Sequence, residues 1–215
     1  WLFLVGSASI AALPPLNGFA SEWLVFQSLV AGTRIPQMEV ALGFPLAVGA
    51  LALTSGLAAV CFVKAFGISF LAMPRSEHAA QAQESPWSML APMIVLAGAC
   101  VGLGLGAPVV AGGLSIVLNS VPGLSAGDVR ASNPLALAGL GNLTQISPLL
   151  MAALLAGIIG VVVLAIHVCG LRVRRADTWG CGRIGQTPRM EYTASAFAEP
   201  LRRIFSELYR PTEDL

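Results

Sequence analysis

The chain has 215 residues, of which 56% are hydrophobic and only 11% are charged. Soluble domains carry about 25% charged residues, so this composition excludes an ordinary soluble domain and indicates an integral membrane protein. The formal net charge of +1 gives no argument for nucleic-acid binding. The four cysteines lie far apart without a CxxC pair, so neither a disulfide framework nor a zinc site is expected.

Four apolar segments are long enough to cross a membrane, which takes about 20 residues. They cover residues 1–31, 43–73, 87–107 and 147–171. A fifth apolar stretch, residues 108–121, is too short to span and is predicted to be re-entrant or interfacial. Residues 122–146 are rich in Gly, Pro and Asn, which predicts a loop. We therefore predict an all-α, polytopic membrane helix bundle over residues 1–171.

The first apolar segment is interrupted by the sequence ALPPLNGFASEW, residues 11–22. Prolines end or kink helices, and Asn-Gly favours turns. The break is assigned to four residues: Pro14, Pro15, Asn17 and Gly18. The sequence therefore predicts a discontinuous helix. Because the chain starts at Trp1, already inside an apolar segment, we interpret it as a fragment of a longer polytopic protein.

The composition changes from Arg172 onward, where arginines and acidic residues recur every few positions. This change predicts a tail outside the membrane over residues 172–215. Within it, apolar residues recur on one helical face near residues 194–209, which predicts an amphipathic helix.

Arginine placement predicts the orientation of the bundle, because cytoplasmic loops carry the excess of basic residues. The tail holds most of the arginines, and the loop of residues 74–86 carries Arg75. We therefore predict that residues 74–86 and 172–215 are cytoplasmic.

Lys64 is the single lysine among twelve basic residues, and the arginines all lie outside the predicted spans. One interpretation is an anchor whose side chain extends to the membrane surface. Met73 lies nine residues further on, about 13 Å of helix, which is far for such an anchor. Lysine, unlike arginine, can lose its proton when buried, so the second interpretation is proton transfer. The distance favours proton transfer.

Glu22 follows the break in an apolar segment, where a carboxylate is costly without a partner. One interpretation is a helix cap, since a carboxylate in the first turn meets unpaired N–H groups. The other is a proton carrier, because ionisable residues within a membrane are functional by default and irregular backbone there lines hydrated cavities. Desolvation outweighs the helix dipole, which favours the proton carrier.

The remaining candidates are weaker. His167, near the cytoplasmic end of the last span, is a minor candidate for proton transfer, and packing or an interfacial position is the favoured interpretation. The glycines of GLGLGAP, residues 102–108, are typical of close helix packing rather than of a nucleotide loop. The segment TWGCG, residues 178–182, offers one thiol without a base. No catalytic residue, cofactor site or metal site is predicted.

Four stretches together resemble a known family: FLVGSASIAALPPLNGFASEWLVFQSL, CFVKAFGISFLAMPRS, ESPWSMLAPM and TWGCGRIGQTPRMEYTASAFAEPLRRIF. They are similar to the C-terminal part of the large antiporter-like membrane subunit of hydrogenase-4 and formate hydrogenlyase complexes. That subunit is related to antiporter-like subunits of respiratory complex I and to Mrp-type sodium/proton antiporters. The resemblance implies a discontinuous helix in the second of two inverted repeats, with Glu22 on the central hydrophilic axis and Lys64 at a position that tends to be basic.

The resemblance further implies a proton-translocating subunit of the inner membrane, within a hydrogenase-4, formate hydrogenlyase or NADH:quinone oxidoreductase-type complex. Its partners would be other membrane subunits and a hydrophilic redox arm, with no flavin, haem or iron–sulfur cluster in this subunit. The alternative is an Mrp-type sodium/proton antiporter subunit without a redox partner. A third interpretation is a structural scaffold in which Glu22 and Lys64 only pack.

Overall fold

The computed structural model of the chain describes residues 1–33, 36–122, 136–138, 145–170 and 185–209. These residues are mainly helical, as predicted from composition. The helices are α1 Leu2–Ile10, α2 Asn17–Gly32, α3 Met38–Phe66, α4 Glu77–Ala80, α5 Trp87–Leu105, α6 Ala107–Asn119, α7 Pro148–Val168, α8 Ala194–Ile204 and α9 Ser206–Tyr209. A π-helical turn, Gly67–Leu71, continues α3, and a 3₁₀ turn covers Pro188–Met190.

Three helical segments among the described residues are long and apolar enough to cross a membrane: Leu42–Leu71, Trp87–Leu105 and Pro148–Val168. The first predicted span differs from these, because it is divided into α1 and α2. The predicted discontinuous helix is thereby confirmed. The short apolar stretch after residue 107 forms α6, whose 13 residues are too few to span.

The chain divides into two compact units. The first contains Trp1–Val60 and Pro86–Val173, and the second contains Cys61–Ser85 and Arg174–Leu215. The boundary between the units falls inside α3.

In the first unit, α5 packs against both halves of the broken helix and also against α6 and α7. The small buried residues Ala20 and Ala107 form a core with Leu137. Leu137 belongs to strand β1, Leu137–Ala138, which pairs antiparallel with β2, Gln145–Ile146. The predicted loop of residues 122–146 thus contains a short two-stranded pairing among its described residues.

In the second unit, the segment after the π-helical turn is bonded to the tail. The carboxylate of Glu191 accepts a hydrogen bond from the Met73 N–H at 2.8 Å. The guanidinium of Arg75 donates to the carbonyl oxygens of Glu191 and Tyr192, both at 3.2 Å. The amphipathic stretch forms α8 and α9, and the Thr193 hydroxyl caps α8 by accepting from the Ala196 N–H at 3.0 Å.

Candidate functional site: the helix break and Glu22

The first half of the broken helix ends in a Schellman motif. Ala12 has a φ of 53°, in the left-handed region where glycine is usual. Its N–H donates to the carbonyl of Ser9 at 3.1 Å, and the Leu13 N–H donates to that of Ala8 at 3.0 Å. These two bonds satisfy carbonyls that the end of a helix leaves unpaired. The break therefore begins before the prolines, and residues 11–16 separate the two helices.

A polar pair joins the two helix ends across the break. The Ser9 hydroxyl donates to Oδ1 of Asn17, which also accepts from the Gly18 N–H at 3.0 Å. Ser9 is only 4% exposed, so its hydroxyl needs a partner inside the protein. Asn17 and Gly18 are the first two residues of α2 and thus follow the break rather than form it.

Two glycines allow backbone to approach backbone at the break. A Cβ at Gly18 would lie 1.8 Å from the carbonyl oxygen of Ser9. A Cβ at Gly104 on α5 would lie 2.3 Å from the carbonyl oxygen of Pro15 and 2.7 Å from the Asn17 nitrogen. Ordinary contacts between heavy atoms are near 3.5–4.0 Å, so neither position has room for a side chain. Gly104, part of the stretch predicted to serve helix packing, therefore lets the backbone of α5 pack directly against the backbone of the break.

Glu22 lies in the second turn of α2, and the first turn of this helix has no acidic residue. The interpretation of Glu22 as a first-turn cap is therefore wrong. It fails because α2 begins at Asn17, so that Glu22 is the sixth residue of the helix. The side chain is half-buried, and its Oε1 accepts a hydrogen bond from the hydroxyl of Ser55 on α3. The carboxylate thus has a neutral polar partner on a neighbouring helix.

Sequence reasoning missed Ser55. The residue lies 33 positions from Glu22, inside an apolar helix where a serine gives no local signal. The only signal was indirect, since a half-buried carboxylate requires a hydrogen-bond partner from some other element. The hydroxyl of Ser55 also lies 2.7 Å from the carbonyl oxygen of Leu51, one turn earlier in α3.

Each half of the broken helix also carries a buried polar side-chain group that is free to form a hydrogen bond. Within the described residues, Ser7 Oγ on α1 and Trp23 Nε1 on α2 are buried atoms without a hydrogen-bond partner. Ser7 is 6% exposed, and the ring of Trp23 stacks on Phe19 with centroids 6.4 Å apart. Buried polar groups are normally paired, so these two donors are available to bond a polar species at this depth.

Lys64 lies in the last turn of α3, in the second unit, and is half-buried. The π-helical turn Gly67–Leu71 follows it, within the candidate span Leu42–Leu71. Rings of Phe66 and Phe70 stack there with centroids 5.5 Å apart. Among the described residues of its own unit, Lys64 forms no ion pair. π-Helical turns are frequent at functional sites, which keeps the proton-transfer interpretation open.

The weaker candidates stand apart from the break. His167 lies exposed in the last turn of α7, a position where a basic side chain complements the helix dipole. Cys61, Cys100 and Cys169 are free thiols. No group of three or more His, Cys, Asp or Glu residues within the described ranges is arranged to hold a metal ion. The TWGCG segment and Arg172–Arg175 lie outside the described residues.

Comparison with known proteins agrees with the resemblance carried by the sequence. Hydrogenase-4 component B of Escherichia coli (strain K12) is 36% identical over 218 residues, covering 99% of this chain and 32% of that protein. Formate hydrogenlyase subunit 3 of the same organism is 34% identical over 211 residues, covering 96% of this chain and 32% of that protein. This chain is homologous to a segment of both subunits.

The predicted resemblance is therefore confirmed. An uncharacterised protein of Mycobacterium tuberculosis is also similar, with 38% identity over 99% of this chain and 34% of its own length. No family model matches the chain. The chain spans about a third of the length of the curated relatives it matches. With three membrane-compatible helices among its described residues, it is a multi-pass membrane protein.

Proposed function

We propose that this chain is part of a proton-translocating membrane subunit in a complex of the hydrogenase-4 or formate hydrogenlyase type. Protons move through Glu22 and Lys64 while partner subunits carry out electron transfer. Homology to subunits named for such complexes supports the assignment to the complex. The chain itself contributes membrane helices and ionisable side chains to the path.

The observation that carries the proposal is the setting of Glu22. Its half-buried carboxyl group follows a helix break in an apolar segment and accepts from a hydroxyl on a second helix. A neutral partner stabilises the carboxylate without fixing it as an ion pair would. The break supplies the irregular backbone that is tolerated at membrane depth where it lines a hydrated cavity.

Lys64 is the second proposed carrier. It lies within an apolar candidate span, beside a π-helical turn, and its amine can release a proton where a guanidinium cannot. His167 is retained only as a minor candidate, because an exposed histidine in the last turn of α7 is equally explained by its position at a helix end.

The proposed orientation places residues 74–86 and the tail 172–215 on the cytoplasmic side of the inner membrane. Contacts within the second unit support a common side for both, because Met73 and Arg75 bond to Glu191 and Tyr192. Partners of the subunit are other membrane subunits and a hydrophilic redox arm.

The test measures proton translocation and redox turnover in the intact complex at equal assembled amounts. Glu22→Gln keeps the side-chain volume but cannot ionise, so assembly survives and translocation falls. Lys64→Arg keeps the charge but holds its proton too tightly, so translocation falls as well. Glu84→Gln is the matched control, because Glu84 is exposed in the segment between α4 and α5.

Translocation at the wild-type level in Glu22→Gln would contradict the proposal. Sodium-dependent proton exchange that continues without any redox turnover would favour the Mrp-type antiporter instead.

A further inference from the structure

The hydroxyl group of Ser55 lies between two acceptors. One is Oε1 of Glu22 on α2, and the other is the carbonyl oxygen of Leu51, at 2.7 Å in its own helix. A serine hydroxyl carries one hydrogen and two lone pairs, so it donates to only one of these oxygens at a time. A carboxylate accepts only, whereas a protonated carboxyl group also donates.

The two protonation states of Glu22 therefore require opposite directions of the same hydrogen bond. When Glu22 is ionised, Ser55 donates to it. When Glu22 is protonated, its O–H donates to Ser55 Oγ, and the serine hydrogen turns to the Leu51 carbonyl. Both states keep the two side chains in contact, and no atom moves except hydrogens.

We propose that Ser55 is a positioning residue for Glu22, which holds the carboxyl group in one place while it gains and loses a proton. This inference rests on the proposed function. Because the hydrogen bond can run in either direction, Ser55 is a partner for both the ionised and the protonated carboxyl group. Proton exchange at Glu22 therefore does not require a new hydrogen-bond partner. An arginine or lysine in place of Ser55 would stabilise the ionised state alone.

The neighbouring residue Thr54 shows what an ordinary hydroxyl does in this helix. Its Oγ1 lies 2.8 Å from the carbonyl oxygen of Ala50 and 2.9 Å from that of Leu51, so its one hydrogen bonds to either of them, and its side chain is exposed. This backbone bonding is the usual arrangement for a threonine or serine inside a helix. Thr54 and Ser55 therefore share the helix and the backbone bonding, and they differ in the contact with a carboxyl group on a neighbouring helix.

The experiment compares Ser55→Ala, Ser55→Thr and the control Thr54→Val in the intact complex. One readout is the rate of proton translocation at equal assembled amounts. The second is the infrared difference band of the Glu22 carboxyl group, assigned by its disappearance in Glu22→Gln. We expect Ser55→Ala to lower the rate about tenfold, the lower range for a hydrogen bond to a charged group, and to shift the band. Ser55→Thr should keep most of the translocation rate and leave the band close to its wild-type position, because it retains the hydroxyl group. Thr54→Val should change neither the rate nor the band.

A double substitution separates positioning from a general structural effect. In the Glu22→Gln background, Ser55→Ala should add no further loss, because the carboxyl group on which it acts is gone. An additive loss would overturn the inference, as would an unshifted band in Ser55→Ala. If the band is unshifted while Glu22→Gln still lowers translocation, the role of Ser55 fails and the proposed function stands. Translocation at the wild-type level in Glu22→Gln would contradict both the positioning role of Ser55 and the proposed function.

Discussion

The broken helix and α7 are opposite solutions to the same problem of placing a chain in an apolar environment. Helix α7 runs unbroken through Pro148–Val168, carries no charged residue before His167 and has only Pro148 buried. The broken helix consists of two shorter helices with buried serines at Ser7 and Ser9. The backbone of α5 at Gly104 packs against the backbone of the break. Both lie in the first unit, and both contact α5.

The difference follows from where the backbone hydrogen bonds go. An uninterrupted helix pairs its own N–H and C=O groups, so its side chains are free to be uniformly apolar. A break frees such groups, and they must be paired locally because each unpaired group is costly in an apolar medium. The Schellman bonds and the Ser9–Asn17 pair serve this purpose. Polar chemistry at the break is thus required by the fold before any functional demand arises.

The largest expected effect is at Gly104. In Gly104→Ala the added methyl group would overlap the carbonyl oxygen of Pro15 and the backbone of Leu16 and Asn17. Because those atoms belong to the main chain, they cannot move aside cheaply, and we expect a loss of about 1–3 kcal/mol in the free energy of unfolding. Unfolding of the full-length protein in detergent measures it.

Gly98→Ala is the matched control on the same helix, since its added Cβ has no neighbour within 4 Å in the part of the chain that the structure describes. It should leave stability unchanged or slightly higher. Equal stability of Gly104→Ala and Gly98→Ala would contradict the close packing of α5 against the break.

A smaller loss is expected at Asn17. Asn17→Ala removes the acceptor for the Ser9 hydroxyl and the Gly18 N–H, which leaves a buried donor unpaired. The expected cost is about 1 kcal/mol in the free energy of unfolding, the lower end of the penalty for an unpaired buried donor, because the Ser9 hydroxyl is free to rotate to another acceptor. Thermal unfolding of the same preparation measures it.

The double variant Ser9→Ala with Asn17→Ala should lose less than the sum of the single changes, because no orphaned hydroxyl remains. Ser28→Ala is the control, as Ser28 is exposed and its hydroxyl donates to the Val25 carbonyl of its own helix. Strict additivity would show that the Ser9–Asn17 pair does not join the two helix ends.

The break could be predicted from the sequence because its cause is local. Pro14 and Pro15 cannot continue a helix, and their effect does not depend on distant residues. Its exact extent could not be predicted, because α1 ends at Ile10 through a Schellman motif whose left-handed residue is Ala12 rather than glycine. At its other end, the break stops where α2 begins at Asn17, and this start places Glu22 in the second turn and removes the capping interpretation.

The contacts of Glu22 could not be predicted for a different reason. Pairing of Glu22 with Ser55 depends on how α2 and α3 pack, and no periodicity or composition specifies that geometry. The same is true of Glu191, which bonds the Met73 N–H across 118 positions of sequence. Local residue chemistry identified Glu22 as a candidate, and only tertiary structure identifies its partner Ser55.

The smallest effect is expected on α7. No atom of the described residues lies within 4 Å of a Cβ added at Gly157, in the middle of an apolar helix whose neighbours Leu154, Ile158 and Val161 are each more than half exposed. Gly157→Ala should therefore change the unfolding free energy of the isolated protein by less than about 0.5 kcal/mol, as a substitution away from packed features does. The same preparation and unfolding assay as for Gly104→Ala give a direct comparison of one added methyl group at two sites.

The assembled complex provides a sharper version of this comparison. A small residue on an exposed apolar helix face lets another membrane helix approach closely. If Gly157→Ala leaves the isolated protein unchanged but lowers assembly of the complex, α7 is covered by a partner helix at Gly157. If Gly157→Ala also leaves assembly of the complex unchanged, the surface of α7 at Gly157 contacts lipid. A loss as large as that of Gly104→Ala in the isolated protein would contradict the distinction between the two helices, because it would mean that the continuous helix is packed as closely as the broken one.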